Sequence, residues 1–357
     1  MDECVASQRG GVVVRPLGER PFCSIVIPSY QEEDHIESVV RAAAAQHYPP
    51  ELIEIFVVDG RSTDRTREIV RRLAAEDPRI QLLDNPDRIQ SAAMNIAIKR
   101  SRGEVIVRMD AHAEYDPGYV AASVAALRRT GALNVGGAAR PRARTRFQRA
   151  LCAALMSPVG VGNSAYRDPS REGFVESVWN GSFRREAFEL AGLYDPAART
   201  NEDAELNQRI IERGGSVYLS RDIIVYYYPR SSLGALFRQY FSYGMGRART
   251  LLRRGKLLSV RPMLPFMWLC GLVALTAASL IDARALPMLE AAVLVYMLAT
   301  FVEAVRVTPR KDLFLAPLVA AIFPVMHAAH GLGFAAGLVK HAGSSVREPE
   351  PERLAAR

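Results

Sequence analysis

At 357 residues, 49% of them hydrophobic, the chain is long enough for a sizeable core and for more than one structural region. Its four cysteines, Cys4, Cys23, Cys152 and Cys270, show no Cys-x-x-Cys spacing, so they suggest neither a zinc site nor a disulfide framework and fit a reducing compartment. A formal charge of +8 admits nucleic acid, anionic lipid or phosphorylated substrates as partners, because net charge speaks of partners rather than fold, and the placement of the charge must decide among them.

Residues 1–22 read as a tail without the continuous apolar core of a signal peptide. From Cys23 the pattern alternates between strands and helices. "CSIVIP" is a buried strand, and Asp34 is expected to cap a helix whose Ile36, Val39, Val40 and Ala43 share one face. "IEIFVVDG" is the next strand, Ser62 or Thr63 is expected to open a helix with Ile69, Val70 and Leu73 inward, and "IQLLDN" forms a third strand. A doubly wound α/β sheet follows from this order. Ligands of such sheets sit beyond the carboxyl ends of the strands, which here are Pro28 to Glu32, Asp59 to Asp64 and Asp110 to His112.

"EVIVRMDAHAEY" starts as an apolar run and ends with Asp110, His112, Glu114 and Asp116 at alternate positions. If the segment stays extended, Asp110 and His112 at i, i+2 share one side and converge on a divalent ion; taken alone, the same pattern describes a solvated acidic loop. "ARPRARTRFQRA" gathers Arg140, Arg142, Arg144, Arg146 and Arg149, which suits anionic headgroups or a lipid diphosphate as well as a plain solvated loop. It lacks the interleaved aromatics and recognition motifs of a nucleic-acid surface, and no nucleic acid is expected as a partner. Further on, Asn201 is placed to cap a helix with Glu202 and Asp203 in its first turn, Leu206 and Ile210 on its apolar face and Gly214 past its end. First-turn acids complement the helix dipole, and the same dipole is expected to keep the pKa of Asp203 low.

"LGALFRQYFSYGMGRARTLL" mixes aromatics with arginines and reads as an amphipathic interfacial helix. It precedes three apolar stretches, Pro262 to Ile281, Leu286 to Val305 and Leu313 to Val339, the first of them one membrane-span length of about 20 residues. Pro317, Pro324, His327 and His330 leave the third open as a span or a re-entrant helix. The basic runs "RARTLLRRGKLLSVR" and "RVTPRKD" belong in the cytoplasm by the positive-inside bias, which places the N-terminal region there too. The expected organisation is a tail at 1–22, an α/β domain at 23–230, an interfacial segment at 231–261, a multi-pass transmembrane region at 262–340 and a tail at 341–357.

"SIVIPSYQEEDHI", "VVDGRSTDRT", "RMDAHAEY", "NGSFRREAFELAGLYD" and "NEDAELNQRI" occur in the order and approximate spacing of inverting family 2 glycosyltransferases, and the chain resembles their ExoA-like succinoglycan biosynthesis branch over roughly Cys23 to Arg247. The resemblance implies a GT-A nucleotide-sugar-binding fold, a Rossmann-like mixed sheet followed by transmembrane helices, with a UDP-sugar donor, UDP-glucose in this branch. It further implies that Pro28, Tyr30 and Glu32 line the nucleotide site, that Asp59 binds uracil or ribose, and that Asp110 and His112 hold Mg²⁺ or Mn²⁺ against the diphosphate. His112 stands where a second aspartate is commoner, which favours Mn²⁺, and Gly60 stands where many relatives are acidic. Asp203 falls at the family's catalytic base, where it would deprotonate an acceptor hydroxyl. The Gln-x-x-Arg-Trp of processive members is missing, which favours transfer of one hexose to a polyprenyl-diphosphate-linked sugar at the cytoplasmic membrane. Two alternatives stay open at this level: transfer directly onto a polyprenyl monophosphate, and a membrane-anchored nucleotide-binding protein without catalysis. Oligomeric state is not legible.

Overall fold

The protein was examined as a computed structural model that describes residues 12, 14–162, 165–196, 198, 200–254 and 260–342. Most of the expected tails at 1–22 and 341–357, and residues 255–259 of the basic run before the first apolar helix, lie outside the described residues. The described residues divide into two compact units, one of those up to Arg140 together with Asp168–Tyr227, the other of Pro141–Arg167 together with those from Tyr228 to Ala342.

The first unit is built on strands β1 (Cys23–Ser29), β2 (Ile53–Asp59), β3 (Ile80–Asp84), β4 (Val105–Arg108), β5 (Ala113–Tyr115), β6 (Asn134–Gly137), β7 (Ala139–Pro141), β8 (Gly173–Phe174), β9 (Trp179–Arg184), β10 (Val217–Leu219) and β11 (Val225–Tyr227). Eight of them form one mixed sheet in the order β3-β2-β1-β4-β9-β6-β10-β8, and β5-β11-β7 form a second, smaller one. β1 pairs in parallel with both β2 and β4, and β2 pairs in parallel with β3, so these four carboxyl ends share one edge. β9 runs antiparallel to β4 and delivers its amino end to the same edge. The crossover helices are α1 (Ile36–Ala44), α2 (Thr66–Glu76), α3 (Gln90–Arg100) and α4 (Tyr119–Thr130), followed by α7 (Arg185–Ala191) and α8 (Glu202–Glu212). The faces expected from sequence are the ones buried: Ile36, Val39, Val40 and Ala43 in α1, Ile69, Val70 and Leu73 in α2, and Leu206 and Ile210 in α8.

Helix starts differ from expectation. Neither Asp34 nor Ser62 nor Thr63 caps a helix; the N-cap residues are His35 and Arg65, without side-chain caps. The polar side chains are used between loops instead. Gln31 takes the backbone N–H groups of Thr63 and Asp64 on its side-chain oxygen, Asp64 accepts from Glu33 N–H, and Thr66 Oγ1 accepts from Glu32 N–H. Two strand-end loops are thus laced into one surface. Asn201 does occupy the N-cap of α8, in left-handed conformation at φ 59°, but its side chain makes no capping bond.

In the second unit α5 (Arg146–Leu155) and α6 (Pro158–Val161) pack with α9 (Leu233–Arg254), α10 (Leu264–Ile281), α11 (Leu286–Val307) and α12 (Ala316–His341) as one cluster. The stretch expected to lie wholly within an α/β domain at 23–230 is therefore interrupted, because α5, whose Leu151 and Ala154 are buried, packs against α12. Three segments, Leu264–Ile281, Ala283–Val307 and Arg310–His341, are long and apolar enough to cross a membrane. α12 continues unbroken through Pro324, and His327 is satisfied there by Tyr296 Oη and the Val159 carbonyl, both at 2.7 Å. α9 and α12 meet backbone to backbone. A Cβ on Gly244 would lie 2.0 Å from the His330 carbonyl oxygen, and one on Gly333 would lie 2.0 Å from that of Phe241.

This contact yields a test of the packing. Gly333→Val should lower the thermal midpoint of the detergent-solubilised protein by an amount equivalent to about 1–3 kcal/mol or more, the order expected for overpacking. Gly271→Ala, with nothing within 4 Å of the added carbon, should leave it unchanged. Equal midpoints for both variants would contradict the close α9–α12 approach.

Candidate active site

The carboxyl edge of the first four strands carries a buried ion cluster. Arg108, the last residue of β4, is 3% exposed along its side chain. Its Nε donates to Asp110 Oδ1 at 2.8 Å, and its Nη1 donates to Asp203 Oδ1 at 2.6 Å and to Glu202 Oε1 at 3.3 Å. Three carboxylates from positions far apart in the chain thus meet on one guanidinium. Burial alone would depress the pKa of Arg108, but Asp110, Asp203 and Glu202 together hold it well above its ordinary value.

Asp203 is the acid whose chemistry changes most. Burial pushes its pKa up to about 7; Arg108 opposes the shift, while Glu202 and Asp110 add to it. The helix-dipole expectation of a low pKa is corrected here, because desolvation and two neighbouring carboxylates outweigh the first turn of α8. A carboxyl group with that pKa is a far better proton acceptor near neutral pH than an ordinary aspartate. The hydroxyl of Tyr194 also donates to Asp203 Oδ1, at 3.1 Å.

Asp110 is nearly buried. It takes Gln90 Nε2 as well as Arg108 on Oδ1, and its backbone N–H donates to Tyr115 Oη, which also accepts from Asn180 Nδ2. After Asp110 the chain turns, with Ala113 N–H bonded to the Asp110 carbonyl, so the extended i, i+2 arrangement expected for Asp110 and His112 does not form. His112 is 55% exposed instead, with Nδ1 3.3 Å from Glu32 Oε1 at the end of the β1 loop. The Asp110 carboxylate is held by Arg108 and Gln90, while His112 lies beside Glu32.

Asp59 closes β2 at the same edge. It is wholly buried: Oδ1 accepts from Ser62 Oγ, and Oδ2 accepts from Ser62 N–H at 2.9 Å and Arg67 Nη1 at 2.8 Å. These bonds hold the shape of the loop after β2. Gly60 has a local reason, since a Cβ there would stand 3.1 Å from the Tyr30 ring. Tyr30 is 48% exposed, with the Arg88 guanidinium 6.0 Å from its ring centre. Pro28 lies near the end of β1 and pairs with Val58 of β2, so it shapes the floor of this edge.

Among the described residues, five that are not glycine have positive φ: Gln31, Arg61, Arg88, Asn180 and Asn201. All five sit in the loops or element ends that surround this edge, where such conformations concentrate when a ligand site dictates the backbone.

For a divalent ion the donor set is partial. Among the described residues no group of three or more His, Cys, Asp or Glu side chains forms a metal cage. The carboxylate of Asp110 and the imidazole of His112, with Glu32 beside it, are donors of the right chemical kind for Mn²⁺ or Mg²⁺, and suit an ion that takes its other ligands from a diphosphate. The residues fit a metal brought in with the nucleotide rather than one caged by protein. Sequence reasoning missed Arg108, Gln90 and Tyr194. The signal for Arg108 was an arginine inside an otherwise apolar strand.

A mixed sheet with a parallel four-strand edge, laced loops and acidic strand ends is the arrangement of the GT-A fold. A family model, "Glycosyl transferase family 2", matches residues 24–190, ending before Asp203. The succinoglycan biosynthesis protein ExoA of Rhizobium meliloti (strain 1021) is 39% identical over 243 residues, which cover 68% of this chain and 73% of that protein. A dolichyl N-acetyl-alpha-D-glucosaminyl phosphate 3-beta-D-2,3-diacetamido-2,3-dideoxy-beta-D-glucuronosyltransferase of Methanococcus voltae is 26% identical over 331 residues, covering 89% of this chain and 98% of that one. The solved structure of mannosyltransferase PcManGT from Pyrobaculum calidifontis, in complex with GDP-Man and Mn²⁺, has the same fold at a TM-score of 0.58 and 20% identity, covering 93% of this chain and 91% of that one. The chain belongs to glycosyltransferase family 2 and is an enzyme of that family.

The pH profile tests the environment of Asp203. In the role of base proposed below, Asp203 must be ionised to work, so kcat/KM for the acceptor should rise with pH through a single ionisation near 7 and fall about tenfold for each unit below it. Its raised pKa also means that protonation favours the folded form: this contribution is fully present below the unfolded value of 3.8 and is lost as the pH rises through about 7. A rate flat between about pH 5 and 8 would contradict the shift.

Proposed function

We propose that the protein is an inverting, membrane-attached glycosyltransferase that moves one hexose from a nucleoside-diphosphate sugar, UDP-glucose first among candidates, to a saccharide linked to a polyprenyl diphosphate in cell-surface glycan synthesis. The observation that carries this reading is the pairing of a buried, raised-pKa Asp203 with Asp110 through one guanidinium, which sets a proton acceptor beside a diphosphate-binding edge. The similarity to a succinoglycan biosynthesis protein and to a transferase named for a dolichyl-phosphate-linked sugar supports the lipid-linked acceptor. The three apolar helices and the basic runs flanking them support attachment to the cytoplasmic membrane with the sheet unit facing the cytoplasm.

In the mechanism that follows, the nucleotide lies along the strand ends, with Tyr30 and Glu32 on one side and the loop that Asp59 holds in shape on the other. Asp110 and His112 would hold the divalent ion, Mn²⁺ favoured by the imidazole, which supplies charge neutralisation for the diphosphate when bound. Asp203 takes the proton of the acceptor hydroxyl as its oxygen bonds to the anomeric carbon from the face opposite the nucleotide. The bond from that carbon to the diphosphate oxygen breaks as the new one forms, which inverts the centre.

Purified enzyme in detergent, given Mn²⁺, a panel of nucleotide sugars and a lipid extract, should make one glycolipid identifiable by mass. Asp203→Asn should lower its formation by about 10² to 10⁴ while calorimetric affinity for the donor is kept. Asp110→Asn should abolish turnover, and His112→Asp should retain it with preference moved toward Mg²⁺. Full turnover by Asp203→Asn would remove that residue from the mechanism.

A further inference from the structure

Asp203 Oδ1 and Oδ2 are chemically equivalent in a free carboxylate, yet the protein treats them differently. Arg108 Nη1 and the Tyr194 hydroxyl both end on Oδ1, at 2.6 and 3.1 Å, and among the described residues no hydrogen bond reaches Oδ2. The χ2 torsion of an aspartate is broad and two-fold, so an unrestrained carboxylate exchanges its oxygens freely. Two donors converging on one oxygen from different elements suppress that exchange.

Both donors are themselves fixed. Tyr194 is almost fully buried and its backbone is gripped on both sides by one side chain: Asn95 Nδ2 donates to its carbonyl at 2.8 Å, and its N–H donates to Asn95 Oδ1 at 2.9 Å. The preceding carbonyl, of Leu193, accepts from Arg209 Nη2 at 2.8 Å. Arg108 is fixed by the bond from Nε to Asp110 Oδ1, and that same Asp110 oxygen accepts from Gln90 at the start of α3, the helix that also supplies Asn95. One helix therefore steadies both supports of Asp203.

We propose that Arg108 and Tyr194 are positioning residues that hold Asp203 by Oδ1, which leaves Oδ2 as the oxygen that takes the acceptor proton, and that Arg108 ties this orientation to Asp110 at the donor edge. The proposal rests on the reading of Asp203 as the base. In the step it describes, the acceptor O–H bond breaks and its proton passes to Oδ2. The oxygen's electron pair forms the new bond to the anomeric carbon, and the pair of the broken carbon–oxygen bond leaves with the nucleoside diphosphate. Tyr194 touches Asp203 and not Asp110, whereas Arg108 touches both carboxylates and so affects donor binding as well.

The test is a set of double-mutant cycles on the full-length enzyme in detergent, reading donor Kd by calorimetry and kcat and acceptor KM by glycolipid formation. Tyr194→Phe, which removes one oxygen from a buried ring, should lower kcat about tenfold, the order of one hydrogen bond to a charged group, with donor Kd and acceptor KM kept within about twofold. Arg108→Lys should lower kcat and weaken donor binding together. In the Asp203→Asn background Tyr194→Phe should not lower the residual rate further, because there is no longer a base to orient, whereas Arg108→Lys should still weaken donor binding through Asp110. Wild-type kcat in Tyr194→Phe, or losses that simply multiply in the Tyr194→Phe and Asp203→Asn double variant, would overturn the proposal. If Arg108→Lys does not fold, the Tyr194→Phe and Asp203→Asn cycle decides alone. Wild-type turnover in Asp203→Asn would instead reject the assignment of the base, so the two failures are told apart.

Discussion

A guanidinium removed from water must have its charge answered, or the desolvation cost of several kcal/mol would expel it from the fold. Arg108 is answered three times, by Asp110 two residues along and by Glu202 and Asp203 from the start of a helix 94 and 95 residues away. This constraint fastens α8 to the end of β4 and sets Asp203 beside Asp110 on one guanidinium. It also leaves one positive charge facing three negative ones. Burial keeps Asp203 reluctant to ionise and the neighbouring carboxylates add to this, while the excess of carboxylates gives the edge an affinity for further positive charge.

Around this cluster the backbone is built to hold open loops still. The loops after β1 and β2 exchange side-chain and backbone hydrogen bonds through Gln31, Ser62, Asp64 and Thr66 rather than capping their own helices. Left-handed conformations at Gln31, Arg61, Arg88, Asn180 and Asn201 cost conformational energy that the surrounding bonds must offset. Asp59 contributes by turning inward, where Ser62 and Arg67 occupy its oxygens, and Arg67 reaches on to Asp84 at the end of β3. Two adjacent strand ends are thereby linked by one arginine. A surface organised in this way is rigid before any ligand reaches it, which lowers the entropic cost of binding a flexible nucleotide sugar.

Periodicity made the sheet unit readable. The inward faces of α1, α2 and α8 and the first three strands lie where apolar spacing put them, because burial of those faces is a local consequence of sequence. The three apolar helices were readable for the same reason. Helix starts were not, since a serine or aspartate near a helix can serve a neighbouring loop as well as a cap, and the choice depends on strands that meet only in the fold. The turn after Asp110 was hidden likewise: alternation along "DAHAEY" imitates an extended segment, while the Ala113 N–H closes back on Asp110. Arg108 was the largest omission. Two of its partners are nearly a hundred residues distant, and its local signal, an arginine in an apolar strand, is one that a charge at the mouth of a strand gives as well. The membership of Pro141–Arg167 in the helical unit was equally non-local, because the apolar face of α5 is completed by a helix that begins at Ala316.

A single base acting opposite the leaving diphosphate permits only one displacement at the anomeric carbon, so the stereochemistry of the product carries the most direct information on how this edge works. The glycolipid formed from an α-linked nucleotide sugar should be examined by proton NMR at its new anomeric centre. A β linkage is the result expected from Asp203 as the base of an in-line attack. An α linkage would require two displacements or a front-face route, and would contradict the role given to Asp203 and to the cluster that holds it.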